Sequence, residues 1–183
     1  HLGFFRPHPP FMAPAPWDRL VDPKDTLSPV RAASKEAEAA VHPLVRMLLG
    51  TIKAKTAVRY LEGTAADTSL AEYAKMRAAY FGLLAEVDHH VGRVVRLLEE
   101  TGQLDRTLIV LTSDHGEQLG DHHLVAKRGY FPQSYHIPCI VVDPRAVADG
   151  TRGRKVEAFT ENIDVLPTIL DWLGERVPRQ CDG

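Results

Sequence analysis

A helical stripe and the strand that follows it constrain the fold more than any other feature of this sequence. Between Ser69 and Gly102, apolar residues recur every three or four positions, as on the buried face of one long helix. Ser69 and Glu72 have the spacing of a capping box, and Gly102 stands where a glycine commonly ends a helix. The stripe consists of Tyr73, Met76, Tyr80, Leu83, Val87, Val91, Val94 and Leu98. The sequence therefore predicts a long helix that faces the core.

Two apolar runs after this helix predict strands. DRTLIVLT (105–112) is a continuous apolar and β-branched run, which is typical of a central strand covered on both faces. PCIVV (138–142) is the next such run, and the long segment between the two contains no clear helix, so we expect a functional loop there. IDVLPTILDWLG (163–174) predicts a helix capped by Asp164 and ended by Gly174. Helices and strands that alternate in this way predict an α/β fold.

The first 62 residues carry weaker signals. HLGFF (1–5) predicts the end of a buried strand, and the proline-rich RPHPPFMAPAP (6–16) predicts an extended, restricted loop. Residues 35–62 favour helical turns that are interrupted near Pro43 and Gly50.

Charge and cysteine content exclude several classes of partner. The 183 residues carry a net charge of −2, from 24 acidic and 22 basic side chains, so no general basic field attracts nucleic acid or anionic lipid. No apolar run approaches the roughly 20 residues of a membrane span. Cys139 and Cys181 form no CxxC pair, which suits a reducing compartment. We expect a cytoplasmic protein that binds neither nucleic acid nor a membrane.

Chemistry concentrates where the first strand ends. Asp114 and His115 follow TLIVLTS directly, at the end of a strand where ligands collect in open α/β sheets. A carboxylate beside an imidazole suits a divalent cation, and Gly116 would let the backbone turn sharply behind them. The alternative is a polar strand end with solvated side chains.

Two more residues could act at the same site. Lys127 follows in the same loop, and its ammonium would complement a doubly charged oxyanion such as phosphate or sulfate. His8 stands between Pro7 and Pro9, which restrict its backbone, and an imidazole held in this way can donate a proton to a leaving oxygen. The alternative for His8 is a histidine packed within its loop.

Four segments in order resemble the sulfatase branch of the alkaline phosphatase superfamily. They are HLGFFRPHPPF (1–11), EVDHHVGRVVRLLEETGQLDRTLIVLTSDHGEQLGDHHLVAK (86–127), YHIPCIVVDP (135–144) and IDVLPTILDWLGERVPRQCDG (163–183). Within this branch they are most similar to phosphonate monoester hydrolases, which also act on phosphodiesters and, promiscuously, on sulfate esters. The resemblance implies an alkaline-phosphatase-like fold, with a mixed, mostly parallel sheet flanked by helices on both faces.

The resemblance also implies roles for individual residues. Asp114 and His115 would be ligands of one divalent metal ion, Lys127 would contact non-bridging oxygens of the substrate, and His8 would bind the leaving-group oxygen. Many true sulfatases have asparagine where this chain has His115, which favours the phosphonate and phosphodiester group. A nitrogen ligand also suits Mn²⁺ or Zn²⁺ better than Ca²⁺. His122 is a candidate for orienting a metal ligand, and a solvated side chain is the alternative.

We expect part of the family's machinery to lie outside these residues. Family members attack with a formylglycine made from the Cys or Ser of a C-x-P-S-R-like motif, and this motif is absent. Cys139 lies in an apolar strand, where we expect a small buried hydrophobe. We therefore expect residues 1–183 to be an internal or C-terminal part of one catalytic domain, without its N-terminal nucleophile region and its C-terminal subdomain.

Three functions remain open on the sequence. The preferred one is a metal-dependent hydrolase of small phosphonate monoesters or phosphate diesters. Such a protein would act in a bacterial cytoplasm, as a monomer or as a homo-oligomer. The second is a sulfatase acting on aryl or carbohydrate sulfates. The third is a non-catalytic metal-binding fragment or pseudoenzyme, and the isolated piece itself is expected to be inactive.

Overall fold

The computed structural model describes residues 1–182, which form two compact units. The first unit contains His1–Leu97 and His115–His136, and the second contains Leu98–Asp114 and the chain from Ile137 onward. The helices are α1 (Lys35–Ala39), α2 (Pro43–Thr51), α3 (Leu70–Glu100), α4 (Pro132–Tyr135) and α5 (Val165–Trp172). The strands are β1 (Ile109–Thr112) and β2 (Cys139–Val142). None of the helices within residues 1–182 has both the length and the apolar character needed to cross a membrane.

The long helix α3 confirms the prediction from the apolar stripe. The hydroxyl of Ser69 accepts the backbone N–H of Glu72 at 3.2 Å, and Gly102 has a φ of 63° just beyond the last turn. Only the first half of the stripe is core, since Tyr73, Met76 and Leu83 are buried. Later stripe positions are half-buried or exposed in the described chain.

The core of the first unit joins α3 to two loops. Phe11 from the proline-rich loop and Val125 from the segment after β1 both pack with Tyr73 and Leu83 of α3. The N–H of Phe11 also donates to the carbonyl of Ala57 at 3.0 Å. Residues 115–136, which we call the lysine loop, are therefore fixed on the helix by apolar contacts.

The second unit contains a two-stranded sheet whose strands pair antiparallel. Ile109 lies opposite Val142, and Thr112 lies opposite Cys139. The expected mostly parallel sheet is not found in the described residues. A parallel pair needs a crossover connection, usually a helix, whereas the segment between these strands forms only a short 3-10 turn and the four-residue α4.

Three further expectations are wrong for the described chain. Residues 1–5 form no strand, and Leu2 and Phe5 are 62% and 72% exposed. β1 is only half-buried and β2 is exposed along its whole length, so this sheet is not covered on both faces. Cys139 is exposed for the same reason. An apolar composition indicates that a strand is to be covered, but it does not indicate which residues cover it.

Candidate active site

The lysine loop begins with a close approach between two backbone segments. The N–H of Gly116 donates to the carbonyl of Ser134 at 2.8 Å. A β-carbon on Gly116 would lie 2.0 Å from the carbonyl oxygen of Gln133, so no side chain fits there. The φ of Gly116 lies outside the left-handed region. Glycine is required at this position for space and not, as expected, for a sharp turn.

His115 and Lys127 meet across this loop. The Nζ atom of Lys127 lies 2.6 Å from Nε2 of His115, and Nδ1 of His115 lies 2.8 Å from the carbonyl oxygen of Gly116. A carbonyl only accepts, so Nδ1 carries the proton and Nε2 presents a lone pair. This is the tautomer of a metal-binding histidine whose other nitrogen donates to a backbone carbonyl. The imidazole therefore fits the role of a metal ligand through Nε2.

Glu117 closes the loop between these two residues. Its carboxylate accepts the backbone N–H groups of Ala126 and Gln118, the latter at 3.2 Å. The N–H of Gln118 donates in turn to the carbonyl of Ala126 at 3.1 Å. Burial raises the pKa of the Glu117 carboxyl, and the N–H groups that it accepts oppose this shift without cancelling it. No pattern in the sequence around Glu117 indicates that its side chain is buried.

The backbone of the lysine loop is strained. Five residues other than glycine have a positive φ, a conformation that costs energy for residues with a side chain. They are Leu119 (49°), His122 (54°), His123 (58°), Ala126 (64°) and Tyr130 (58°). Such conformations persist only where surrounding contacts hold them.

Arg77 and Asp121 provide the strongest of these contacts. Nη2 of Arg77 on α3 lies 2.5 Å from Oδ1 of Asp121, and both side chains are almost fully buried. The same guanidinium donates to the carbonyl of Leu119 at 3.0 Å. Asp121 also accepts the N–H of Val30 at 2.8 Å and the amide of Gln133 at 3.0 Å. This ion pair holds the lysine loop on α3. The sequence alone did not indicate it.

His122 contacts a different part of the first unit. Its Nδ1 lies 3.0 Å from Oε1 of Glu38, and its ring stacks on Phe131 with centroids 3.6 Å apart. Burial alone would raise the pKa of Glu38, but hydrogen bonds from Ala32 and His122 hold that pKa below its ordinary value. The contacts of His122 thus orient the loop, and an influence on a metal ligand stays a prediction.

His8 lies in the proline-rich loop, as expected. Its Nδ1 lies 2.9 Å from the carbonyl oxygen of Pro9, and its ring packs on Phe5 with centroids 4.8 Å apart. The carbonyl holds the proton on Nδ1, so Nε2 is the nitrogen that can be protonated and then donate. The side chain is exposed. These contacts lie within its own loop, so a place beside Lys127 stays a prediction.

Asp114 is the last residue of the second unit before the lysine loop. The strand end that presents it is held by Asn162, whose amide donates to the carbonyl of Ser113 at 2.9 Å. The hydroxyl of Thr112 donates to the same side chain at 3.1 Å. Asn162 therefore fixes the backbone next to Asp114.

The donor set fits a divalent metal ion in type but not in number. Asp114 and His115, the predicted ligands, carry a carboxylate and an imidazole, which are donor types that suit Mn²⁺ or Zn²⁺; their binding of one ion stays a prediction. Within residues 1–182, no group of three or more His, Cys, Asp or Glu side chains is placed to hold an ion. Of the predicted site residues, the structure brings His115 and Lys127 into contact.

Comparison with known proteins gives the family. The sulfatase family model matches residues 3–175. The chain belongs to the sulfatase family. It is 48% identical, over all of its 183 residues, to the multifunctional alkaline phosphatase superfamily protein PehA of Trinickia caryophylli, of which it covers 35%. The crystal structure of a phosphonate monoester hydrolase of Agrobacterium radiobacter superposes with a TM-score of 0.86 at 44% identity, over 93% of this chain and 34% of that one.

An arylsulfatase is also similar over the whole chain. The arylsulfatase of Clostridium perfringens is 28% identical over 184 residues, which are 100% of this chain and 35% of that protein. The chain thus spans about a third of the length of the sulfatase-family relatives that it matches. The predicted membership of the sulfatase branch, close to phosphonate monoester hydrolases, is confirmed.

Proposed function

We propose that the full-length protein is a metal-dependent hydrolase of phosphonate monoesters and phosphate diesters. The observation that carries the proposal is the 2.6 Å contact between Lys127 and Nε2 of His115, directly after Asp114. A carboxylate, an imidazole lone pair and an ammonium in one short segment suit a cation and a bound oxyanion together. The similarity to a phosphonate monoester hydrolase supports this choice of substrate.

Each of these residues then has a separate role. Asp114 and His115 would hold one divalent ion, Mn²⁺ or alternatively Zn²⁺ or Ca²⁺, which when bound would supply positive charge against a substrate oxygen. Lys127 would bind the non-bridging oxygens of the ester. His8 would donate a proton from Nε2 to the oxygen of the departing alcohol. The nucleophile, a formylglycine, is expected outside these 183 residues.

The proposal also covers the domain that contains this site, the size of its substrate and its partners. Residues 1–183 would form part of a single catalytic domain whose complete sheet is mixed, mostly parallel and flanked by helices. The substrate would be a small ester, and neither nucleic acid nor a membrane would be a partner. The protein would lie in a bacterial cytoplasm, either as a monomer or as a homo-oligomer.

Paired rate measurements test the substrate class. The full-length protein, loaded with Mn²⁺, is assayed with a phenylphosphonate monoester, a phosphate diester and an aryl sulfate that share one leaving group. We expect kcat/KM to be highest for the phosphonate or the diester. Asp114→Ala should abolish turnover and weaken Mn²⁺ binding, because it removes a negative ligand. An unchanged rate in this variant would refute the role of Asp114.

A sulfatase is the second candidate, and the likeness to an arylsulfatase over the whole chain favours it. The paired rates separate the two, because a sulfatase prefers the aryl sulfate. The third candidate is a non-catalytic metal-binding protein. Mn²⁺ binding without turnover of any of the three esters would support this last reading and overturn both enzymatic ones.

A further inference from the structure

The lysine loop contains a buried carboxylate for which the proposed chemistry has no use. Glu117 lies two residues after His115. Its carboxylate accepts a hydrogen bond from the backbone N–H of Ala126, the residue just before Lys127. The loop has two arms, one that begins at His115 and one that ends at Lys127. The Glu117 side chain connects these arms next to the contact between His115 and Lys127. The N–H of Gln118, which donates to the carbonyl of Ala126, and the side-chain amide of Gln118, which donates to the carbonyl of Arg128 at 3.0 Å, also connect these arms. Glu117 adds the charged contact.

The carboxylate is occupied by backbone donors. The N–H groups of Ala126 and Gln118 both hydrogen-bond to it. Hydrogen bonds from an N–H to an ionised acceptor are roughly twice as strong as neutral ones. A carboxylate used in this way acts as an anchor for the backbone, not as a ligand or a proton carrier for substrate.

The conformation of Ala126 explains why an anchor is needed. Its φ of 64° is costly for a residue with a β-carbon. Two bonds hold it there, its N–H to Glu117 and its carbonyl to the N–H of Gln118 at 3.1 Å. The direction in which Lys127 leaves the backbone depends on this conformation, since the two residues are adjacent.

We propose that Glu117 is a positioning residue: its carboxylate holds Ala126 so that the ammonium of Lys127 is set against Nε2 of His115. The inference deepens the proposed function, on which its catalytic consequence rests. In a hydrolase, the same anchor would keep the ammonium close to the imidazole that would hold the metal ion, so that the ammonium and the ion could face one substrate oxyanion. A displacement of about 1 Å in such a group can cost 10²-fold in rate.

Three substitutions in the full-length protein separate positioning from charge. Glu117→Gln keeps the length and one acceptor oxygen but loses the charge. Glu117→Asp keeps the charge but is one methylene too short to reach Ala126. Glu117→Ala loses both. A positioning role predicts that kcat for Glu117→Gln stays within about fivefold of wild type, the worth of about one neutral hydrogen bond. Glu117→Asp and Glu117→Ala should lose about 10²-fold.

A second readout does not depend on turnover. The ¹⁵N shift of His115 Nε2 is measured in the metal-free protein with labelled histidine, with Lys127→Met as the reference for a lost ammonium contact. We expect Glu117→Asp and Glu117→Ala to reproduce the Lys127→Met shift, and Glu117→Gln to resemble wild type. Asp121→Asn is the matched control, because it alters another buried carboxylate of the same loop and should leave the His115 signal unchanged.

The outcomes are distinct. A wild-type His115 signal in Glu117→Asp and Glu117→Ala would overturn the proposal. So would a Glu117→Gln variant as impaired as Glu117→Ala, which would assign Glu117 a role through its charge. If Glu117→Ala fails to fold, Glu117→Asp decides the same question. If wild type cleaves none of the esters, the proposed function fails, and the His115 signal still decides the role of Glu117.

Discussion

The ammonium of Lys127 lies 2.6 Å from Nε2 of His115, so a cation of the protein occupies the lone pair that a metal ion would use. Nδ1 is held by the carbonyl of Gly116, which leaves Nε2 as the nitrogen available for a metal ion. Ion and ammonium would therefore compete for one acceptor. In the proposed enzyme, Lys127 would turn from the imidazole to a substrate oxygen when the metal ion and the substrate are bound.

This competition predicts opposite effects of one substitution. Lys127→Met should tighten Mn²⁺ binding, because the competing ammonium is gone. It should also lower kcat by about 10²- to 10³-fold, as expected for loss of one donor to a developing oxyanion. Isothermal titration with Mn²⁺ and steady-state rates measure the two effects. Lys127→Arg retains a cation and serves as the control for affinity; weaker Mn²⁺ binding by Lys127→Met would contradict the competition.

His8 should matter most for esters with poor leaving groups. Protonation of the departing oxygen is worth about 10²- to 10⁴-fold when that oxygen is basic, and little when it is a stable anion. We expect His8→Gln to lose rate steeply on alkyl esters and only slightly on 4-nitrophenyl esters. A series of leaving groups tests this by the slope of log kcat/KM against the pKa of the alcohol. His90→Gln on α3 is the control, and equal losses across the series would refute the role.

The fold was predictable where the signal is local. The apolar stripe, the capping pair of Ser69 and Glu72, and Gly102 define α3 from contacts within the helix itself. The two strands were also predictable as strands. Their direction and exposure were not, because strand pairing and the covering of a sheet depend on residues far away in the chain. The apolar character of Cys139 and its neighbours predicted burial that this chain does not supply.

The site shows the same division. Asp114, His115 and Lys127 were identified because their side chains suit a metal and an oxyanion and follow a strand. Nothing in the segment GEQLGD (116–121) distinguishes Glu117 and Asp121 from solvated carboxylates. Asp121 is buried because Arg77, 44 positions earlier, forms a pair with it. Partners at such separation have no signature in a single sequence.

Gly116→Ala should destabilise the lysine loop. The added β-carbon would lie 2.0 Å from the carbonyl oxygen of Gln133, and this atom belongs to the backbone, which cannot turn aside as a side chain can. We expect a loss of about 1–3 kcal/mol, the usual cost of overpacking. Gly50→Ala is the matched control, since nothing lies within 4 Å of its added carbon. Urea unfolding of both variants measures the difference, and equal midpoints would contradict the steric argument.

Arg77→Met should be among the most destabilising substitutions in the first unit. It removes one member of a buried ion pair and leaves the Asp121 carboxylate without its counter-charge. Such changes cost about 3–5 kcal/mol. Adding Asp121→Asn to Arg77→Met should recover part of this loss, because the stranded charge is removed. Arg93→Met on the exposed side of α3 is the control; an Arg77→Met variant as stable as this control would refute a stabilising role for the pair.

The double substitution also separates stability from chemistry. Arg77 and Asp121 hold the loop on α3, whereas Glu117 holds its arms together near Lys127. Once the double variant is folded at low temperature, its His115 Nε2 shift should match wild type. A shift like that of Lys127→Met would mean that the ion pair itself sets the contact between lysine and histidine.

His123 should make stability fall in mild acid. Burial lowers its pKa from 6.5, and Arg31, which donates to Nδ1 at 3.4 Å, favours the neutral ring. The unfolded chain therefore binds more protons than the folded one between the lowered pKa and 6.5. Stability is unaffected above this window, falls as pH drops through it, and levels off below the folded pKa. Unfolding midpoints at pH 8, 7, 6 and 5 should drop more for wild type than for His123→Gln, whereas His90→Gln should follow wild type. Parallel curves for wild type and His123→Gln would show that protonation of His123 is not coupled to folding.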